Sequence, residues 1–426
     1  MHTRARSVLA VLVICGLGLS APRASVQALG AQRFVVPMLG ATIGTCPQDT
    51  PCTLAYALSM ASPGDELILA GTGIAYTGTG SQVLLIDKTL TIRGGWDGAG
   101  TGPVVIDPAA HHSAISGAGT RRVVRAQLDN ETLTLDGITI ADGGTTESDG
   151  GGMWLTSPST GTVNMSRVEV TANGNVTPPS YGGGVYAANI SLNITGCTFS
   201  FNNALSGGGG LKIYQSTVEI ADSRFEQNSA TYGSAIEVEN PSPVTIERSV
   251  FVRHLSGSSV ILLSDADPAL VMTNNYIIHN QGVMIDAMGG DLDLLHNTYS
   301  GDGAGTGLMI GSTVTGNMRN NILYAFTNSI LLEAGSPSFV ISHTLFHDNT
   351  HDAALGSDYV LGDPCLVDPF ADEQGFHIAN CSAAIDAGED AGILEDYDGD
   401  LRPRLGGFDV GADEFGWLVF LPLALR

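Results

Sequence analysis

The fold is decided by the segment LNITGCTFSFNNALSGGGGLKIYQSTVEIADSRF, residues 192–225, in which one eight-residue phrase occurs twice. Seven further copies of this phrase begin at Leu133, Val163, Val244, Leu270, Leu292, Gly316 and Phe339. Their last residues form one apolar column: Ile140, Val170, Phe199, Phe225, Phe251, Ile277, Tyr299, Leu323 and Phe346. The spacing of about 22–30 residues, with apolar and polar residues alternating, predicts a solenoid of short strands.

A second column lies two residues before the first and contains three successive asparagines. It reads Ile138, Val168, Cys197, Ser223, Ser249, Asn275, Asn297, Asn321 and Thr344. Equivalent residues of stacked parallel strands lie about 4.8 Å apart, so their side chains can bond to one another. We therefore predict an asparagine ladder in this column. The alternative is that asparagine is simply common in turns.

Glycine runs introduce a second set of strands between the phrases. They precede MWL at Met153, VYA at Val185 and LKI at Leu211, and glycine permits the positive φ of a tight corner. These observations predict an all-β protein, a right-handed parallel β-helix, with the handedness taken from the general chirality of β-crossovers. The regular coils are expected over residues 133–350, after a cap and irregular first coils over 29–132.

Both ends of the chain carry separate signals. Residues 1–28 combine early arginines, a short apolar run and small residues near Ala28, which predicts a secretory signal peptide. A lipoprotein signal that uses Cys15 is the alternative. TLAYALSMA, residues 53–61, has one apolar helical face and predicts a short helix that caps the first coil. Residues 351–426 are expected to form a loop-rich C-terminal module, which we call the terminal module.

Composition limits the partners that the protein can bind. The chain has 43 acidic residues against 18 lysines and arginines, for a net charge of −25. Such a surface repels nucleic acid and anionic membranes, so we expect neither as a partner. The eleven residues GWLVFLPLALR at the end are too short to span a bilayer. They are expected to pack as a last strand over the final coil, or else to serve as a docking tail.

The cysteines fit an exported protein. Cys46 is expected to pair with Cys52, and Cys365 with Cys381, as disulfides of an oxidising compartment. Cys197 falls in the inward column and is expected to be a small buried apolar residue.

Segments at both ends of the chain resemble known protein families. CTLAYALSMASPGDELILAG with LLIDKTLTIRGGWDG resembles the N-terminal region of secreted bacterial β-helix proteins of the pectate-lyase-like superfamily. GDPCLVDPF, AIDAGED and DYDGDLRPRLGGFDVGADEF resemble the terminal module of the choice-of-anchor Q group. Asp413 is a departure, because it stands where that pattern usually has an aromatic residue. The resemblance implies a secreted or cell-surface β-helix, usually without an assigned reaction.

One acidic turn is a candidate metal site. Asp396, Asp398 and Asp400 alternate along the chain, and carboxylates in this pattern can converge on a hard cation such as Ca²⁺. The alternative is a structural turn whose aspartates bond to local amides and pair with Arg402 and Arg404.

Catalytic residues are harder to identify. Polysaccharide lyases need a basic residue beside a bound cation, and glycoside hydrolases need paired carboxylates. Glu237, Arg253, His254 and Asp286 are the candidates for a lyase or hydrolase site on a sheet face. Lys212 is expected beside Glu237 as an exposed cross-strand ion pair of little energetic value.

The outward positions of the glycine-led strands favour binding over catalysis. They read Trp154, Tyr186, Lys212, Glu237, Ile261, Met284, Met309 and Leu331, with four apolar residues in succession at the end. An exposed apolar row predicts a covered or binding surface, unless the register is wrong by one residue. We therefore expect a protein that binds a polysaccharide or a cell-surface protein, with Trp154 and Tyr186 stacking on sugar rings. A carbohydrate-active enzyme is the alternative.

Overall fold

A computed structural model describes residues 30–145, 149–335, 338–352, 358–404 and 406–416. The predicted signal peptide and most of the predicted last strand lie outside these residues. Three parallel sheets, of which the first two are joined through the long strands Met153–Ser166 and Val185–Thr195, wind around one continuous apolar core. This is the predicted parallel β-helix.

The strands of the three sheets follow one another in every regular coil. The first sheet comprises Gln82–Ile86, Arg122–Gln127, the first half of Met153–Ser166, the first half of Val185–Thr195, Leu211–Tyr214, Ile236–Glu239, Ser259–Leu263, Val283–Ala287, Thr306–Ile310 and Asn328–Leu332. The second comprises Gln32–Val35, Glu66–Ala70, Leu90–Trp96, Thr132–Asp136, the second halves of the two long strands, Thr217–Ala221, Pro243–Glu247, Ala269–Thr273, Asp291–Leu295, Thr315–Arg319 and Ser338–Ser342. The third comprises Ser113–Ser116, Ile138–Ala141, Glu169–Thr171, Thr198–Ser200, Arg224–Glu226, Val250–Val252, Tyr276–Ile278, Thr298–Ser300, Ile322–Tyr324, Leu345–His347 and Val360–Leu361.

The apolar column predicted from the repeat is confirmed along the third sheet. Val170 pairs with Phe199, Phe199 with Phe225, and Phe225 with Phe251 in parallel register. The three phenylalanine rings stack, with centroids 4.6 Å and 4.9 Å apart. Aromatic stacking of this kind adds to the gain from burial, so the column fixes the alignment of neighbouring coils.

The predicted ladder is also confirmed, at the corner between the second and third sheets. The Asn275 amide and side chain both donate to Asn297 Oδ1 at 2.9 Å, and Asn297 donates in the same way to Asn321. Ser249 and Ser223 continue the ladder towards Cys197, which is buried as predicted. These bonds satisfy backbone groups at a corner where the strand ladder is interrupted.

We expect Asn297→Ala to lower the free energy of unfolding by about 2 kcal/mol, because it leaves the buried backbone amide of Asn275 without an acceptor. Asn193→Ala is the matched control, since that side chain makes one half-buried bond to Asn164 on the outer surface. Urea denaturation of both variants measures the difference. Equal losses in the two variants would contradict a special contribution from the ladder.

A second ladder at the end of the third sheet was not predicted. Asn173 donates to Asn202, and Asn202 donates to Asn228, at 2.9 Å in each step. The next coil places His254 at this position, where its amide donates to Asn280 Oδ1. The sequence contains the signal, because each of these residues lies three positions after the last residue of a phrase.

The N-terminal end is closed by the expected helix. It spans Leu54–Met60 and is capped by the side chain of Thr53. Leu54 and Ala57 are buried against the first coil, and the adjacent disulfide Cys46–Cys52 is present as predicted. Among the described residues, no helix has both the length and the apolar character that crossing a membrane requires.

The terminal module covers part of the outer side of the third sheet. It contains the predicted disulfide Cys365–Cys381 and a short 3-10 helix, Glu373–Phe376. Phe376 packs with Tyr276 of the third sheet, and Arg224 on the same sheet pairs with Glu373. The third sheet is therefore an internal docking face over these coils, while the first sheet carries none of these contacts.

Candidate functional site

One row of outward side chains runs along the first sheet, as set by the pairing of successive strands. It comprises Arg125, Trp154, Tyr186, Lys212, Glu237, Leu262, Asp286, Met309 and Leu331. We call it the outer row. Ile261 and Met284 were expected here from the sequence, but both are fully buried in the core. Leu262 and Asp286 take their places, so the predicted run of four exposed apolar residues is wrong.

This error has a physical cause. All five residues of Ser259–Leu263 are buried, so this strand lacks the alternation of apolar and polar residues that shows which side chains point outward. The neighbouring strand, Val283–Ala287, puts an aspartate rather than a methionine outward. The end of the outer row is therefore mixed in polarity.

Trp154 and Tyr186 lie side by side at outward positions of adjacent strands, as expected from the sequence, and both are half-buried. The guanidinium of Arg125 lies 4.9 Å from the centroid of the Trp154 ring. Burial, with a smaller effect from Asp149, raises the pKa of Tyr186 to about 12. The Tyr186 hydroxyl therefore stays neutral at physiological pH and can donate a hydrogen bond.

A second row of aromatic residues flanks the first and was missed. Tyr181, Gly207 and Tyr232 pair in successive coils at the corner that precedes the first sheet. Both tyrosines are exposed, at 37% and 47%, and Lys212 Nζ lies 5.0 Å from the Tyr181 ring centroid. The signal in the sequence was a tyrosine directly before a glycine, in YGGG and YGSA.

Lys212 and two glutamates form the polar floor between these aromatic residues. Lys212 Nζ lies 2.8 Å from Glu237 Oε1 and 2.5 Å from Glu239 Oε2. The predicted pairing of Lys212 with Glu237 is confirmed, but the pair is not exposed, since Lys212 is 2% and Glu237 6% accessible. Burial raises the pKa of Glu237, an effect that Lys212 opposes and Glu239 reinforces.

Gly207 makes room for this buried carboxylate. A Cβ atom on residue 207 would lie 1.6 Å from Glu237 Oε2, so any side chain there would displace the glutamate. Gly207 thus opens a gap in the row between Tyr181 and Tyr232, and the Glu237 carboxylate fills it.

The remaining catalytic candidates do not converge on this site. Asp286 is half-buried in the outer row, two coils beyond Glu237, and burial raises its pKa. Arg253 follows the third sheet and pairs with Glu226 and with Asp372 of the terminal module. His254 is fully buried, and burial lowers its pKa to about 3. Of the four candidates, only Glu237 and Asp286 share a face.

The acidic turn of the terminal module also fails to converge. Asp396 is buried, and its carboxylate accepts hydrogen bonds from the amides of Asp398, Asp400 and Glu414. Asp400 pairs with Arg404 instead. This geometry matches the structural alternative rather than a calcium site formed by Asp396, Asp398 and Asp400.

Comparison with known proteins supports the fold. A family model described as a right-handed β-helix region matches residues 219–384. A solved pectate lyase, Pel9A, superposes with a TM-score of 0.59 and 15% identity over 91% of this chain and 97% of that chain. No curated protein matches the sequence.

Two other solved structures are similar at a lower level. A rhamnogalacturonan lyase matches with a TM-score of 0.48 and 12% identity, over 74% of this chain and 87% of that chain. A GH136 lacto-N-biosidase from Eubacterium ramulus matches with a TM-score of 0.47 and 12% identity, over 78% of this chain and 68% of that chain. The structure and the similarity to Pel9A together establish that this chain adopts the right-handed parallel β-helix fold of pectate lyases.

Proposed function

We propose that this protein binds a polysaccharide chain on its first sheet, across Trp154, Tyr186 and the flanking tyrosines Tyr181 and Tyr232. One observation carries the proposal, the grouping of these four aromatic side chains, all at least partly exposed, around one polar floor. Aromatic rings offer an apolar face for the C–H side of a sugar, and tyrosine adds a hydroxyl for hydrogen bonding. Ligand sites typically combine such surfaces with a few fixed polar groups.

The arrangement of the two aromatic rows and the net charge of the chain indicate which class of polysaccharide would bind. The two aromatic rows run across successive coils, so an elongated ligand along the solenoid axis contacts more of them than a small one. The net charge of −25 disfavours a polyanion. The proposed ligand is therefore a neutral polysaccharide. Two disulfides support an extracellular location, where such polymers occur.

The polar floor supports binding better than lyase chemistry. A lyase base must accept a proton, whereas Lys212 is held between two carboxylates and is buried. Of these three groups only Glu239, whose side chain is 33% exposed, can contact a ligand directly, and its carboxylate would accept hydrogen bonds from sugar hydroxyls. Arg253, the other basic candidate, lies beyond the third sheet and is paired with Glu226 and Asp372.

Trp154→Ala and Tyr186→Ala are each expected to weaken polysaccharide binding at least tenfold, or about 1.4 kcal/mol, because each removes a stacking surface. Affinity electrophoresis of the full chain in gels that contain a panel of neutral polysaccharides measures the retention. Phe370→Ala is the control, since Phe370 is an exposed aromatic residue of the terminal module. Loss of retention in all three variants, or in none, would count against the proposed face.

Glycoside hydrolysis is the second candidate function, and one observation favours it. Glu237 and Glu239 both contact Lys212 Nζ, so their nearest oxygens lie no more than about 5 Å apart, an upper limit that is compatible with the carboxyl spacing of about 5–5.5 Å in retaining glycosidases. The raised pKa of Glu237 suits a general acid, and Glu239 would be the nucleophile. New reducing ends in the same panel, abolished by Glu237→Gln, would replace simple binding with hydrolysis.

A further inference from the structure

Three side chains of the terminal module converge although they lie far apart in the sequence. His377, Asp398 and Asp413 each place one nitrogen or oxygen atom within 4.8 Å of the other two. His377 Nε2 lies 2.6 Å from Asp398 Oδ2 and 3.9 Å from Asp413 Oδ1. Three separate turns therefore contribute one nitrogen and two oxygen ligands to a single point.

Two of these three side chains, His377 and Asp413, are oriented by a bond on their other side. The His377 ring lies 2.8 Å, through Nδ1, from the carbonyl oxygen of Gln374, which directs Nε2 towards the two carboxylates. Asp413 Oδ2 accepts the amide of Ile378 at 2.8 Å, so Oδ1 is the atom that faces His377. The histidine arrangement is the one that metal-bound imidazoles show, because the outer bond fixes the ring and its tautomer.

A second observation comes from the third sheet beneath the module. The hydroxyl of Tyr276 is fully buried and has no hydrogen-bond partner within the described residues. Its ring lies 6.2 Å from the His377 ring, and the charges of Asp413 and Asp398 add to burial in raising the pKa of Tyr276. The buried hydroxyl without a partner thus belongs to a ring that packs edge-on against His377 and that lies close enough to Asp398 and Asp413 to be affected by both charges.

We propose that His377, Asp398 and Asp413 bind a divalent transition-metal ion, with Zn²⁺ as the probe. Imidazole and carboxylate together suit Zn²⁺, whereas Ca²⁺ takes six or more oxygen ligands. Asp398 is partly exposed at 42% and opens the site to solvent, while the buried Asp413 forms its base. The ion would tie the acidic turn to the end of the helix Glu373–Phe376 and so hold the module together.

The test uses the full chain, stripped with a chelator and then titrated with ZnCl₂ and, separately, with CaCl₂. We expect one Zn²⁺ retained per chain after desalting and a rise in the midpoint of thermal unfolding. Asp398→Asn and His377→Gln should each weaken Zn²⁺ binding at least tenfold, as measured by calorimetric titration. Asp398 is partly exposed, so its variant keeps the test informative if His377→Gln does not fold.

A matched control is available in the same region. His279 Nδ1 pairs with Asp302 at 2.8 Å, and within the described residues no third metal-ligating side chain converges on that pair. Asp302→Asn should therefore leave Zn²⁺ binding unchanged. The proposal is overturned if the wild-type chain retains no Zn²⁺, if Ca²⁺ binds in its place, or if Asp302→Asn and Asp398→Asn weaken binding equally.

Discussion

Lys212→Met is expected to lower the free energy of unfolding by about 3–5 kcal/mol, because it removes one partner of a buried ion pair. Lys212 lies between Glu237 and Glu239, and the Glu237 carboxylate stays in a site that water barely reaches. The methionine fills most of the volume of the lysine, so the loss reports the unpaired charge rather than a cavity. Urea denaturation at pH 7 measures it.

The same variant should change how stability depends on pH. Burial already raises the pKa of Glu237 above its ordinary value of 4.5, and removing Lys212 raises it further. A carboxyl group with a raised pKa in the folded state contributes stability that is present below its unfolded value and is lost as the pH rises through the folded value. The difference in the free energy of unfolding between wild type and Lys212→Met should therefore become smaller as the pH falls from 8 to about 4.5.

Two further variants isolate the cause. Lys88→Met removes the only other lysine of the chain, whose Nζ lies 3.2 Å from the Ala61 carbonyl oxygen near the surface. This substitution should lower the free energy of unfolding only slightly. Adding Glu237→Gln to Lys212→Met should restore part of the stability, since no buried charge then remains unpaired. If Lys212→Met loses less than about 1 kcal/mol, the buried pair is not the stabilising feature that its geometry indicates.

The sequence predicts the repeat well because its physical signal is periodic. The column from Ile140 to Phe346 recurs in every coil, and the paired strands of the third sheet reproduce it residue for residue. The ladder at Asn275, Asn297 and Asn321 follows from the same alignment, because stacked residues must lie in register. The periodicity of the sequence is therefore enough to predict the structure wherever successive coils share the same pattern.

The geometry of the candidate site depends on burial and on contacts that do not repeat from coil to coil, so they leave no periodic pattern in the sequence. Ile261 and Met284 were assigned to the wrong face because the strand around Ile261 is buried throughout. Lys212 and Glu237 were paired correctly, yet their burial depends on Tyr181 and the gap at Gly207, which lie in the preceding corner. Contacts between a strand and the loops around it have no repeating pattern, so the sequence alone did not reveal them.

In the terminal module, the sequence pattern predicts even fewer of the contacts between side chains. Asp396, Asp398 and Asp400 alternate in the sequence, but only Asp398 joins a cluster of ligands in the structure. Its companions, His377 and Asp413, come from other turns, and Asp396 instead holds the turn by accepting three amides. A short acidic motif indicates which residues can bind a cation, whereas the tertiary fold decides which of them meet.

Arg402→Met is expected to weaken docking of the terminal module by about 3–5 kcal/mol, since it also breaks a buried ion pair. The Arg402 guanidinium donates to Glu414 Oε2 at 2.8 Å, to the Gly411 carbonyl at 2.8 Å and to Asn274 Oδ1 at 3.3 Å. Asn274 lies between strands of the second and third sheets, so this arginine joins the module to the solenoid. Its loss leaves the buried Glu414 carboxylate without its cationic partner, although the amides of Arg404 and Asp409 still donate to it.

Docking should also depend on pH in a defined direction. Burial raises the pKa of Asp409 to about 7, and Glu414 adds to this effect while Arg402 opposes it. The contribution of Asp409 to stability is therefore present below its ordinary value of 3.8 and is lost as the pH rises through about 7. Without Arg402 the opposing charge is gone, so the variant should release the module more readily at pH 8 than at pH 6.

Limited proteolysis with mass spectrometry measures this release as cleavage within residues 358–416, while far-ultraviolet circular dichroism reports whether the coils persist. Arg404→Met is the matched control, because Arg404 pairs with Asp400 at the surface, where such pairs contribute at most about 1 kcal/mol. We expect faster cleavage of the module in Arg402→Met alone, with the β-sheet signal retained. Equal protection of the two variants would show that docking rests on the apolar contacts of Phe376 with Tyr276 rather than on the buried arginine.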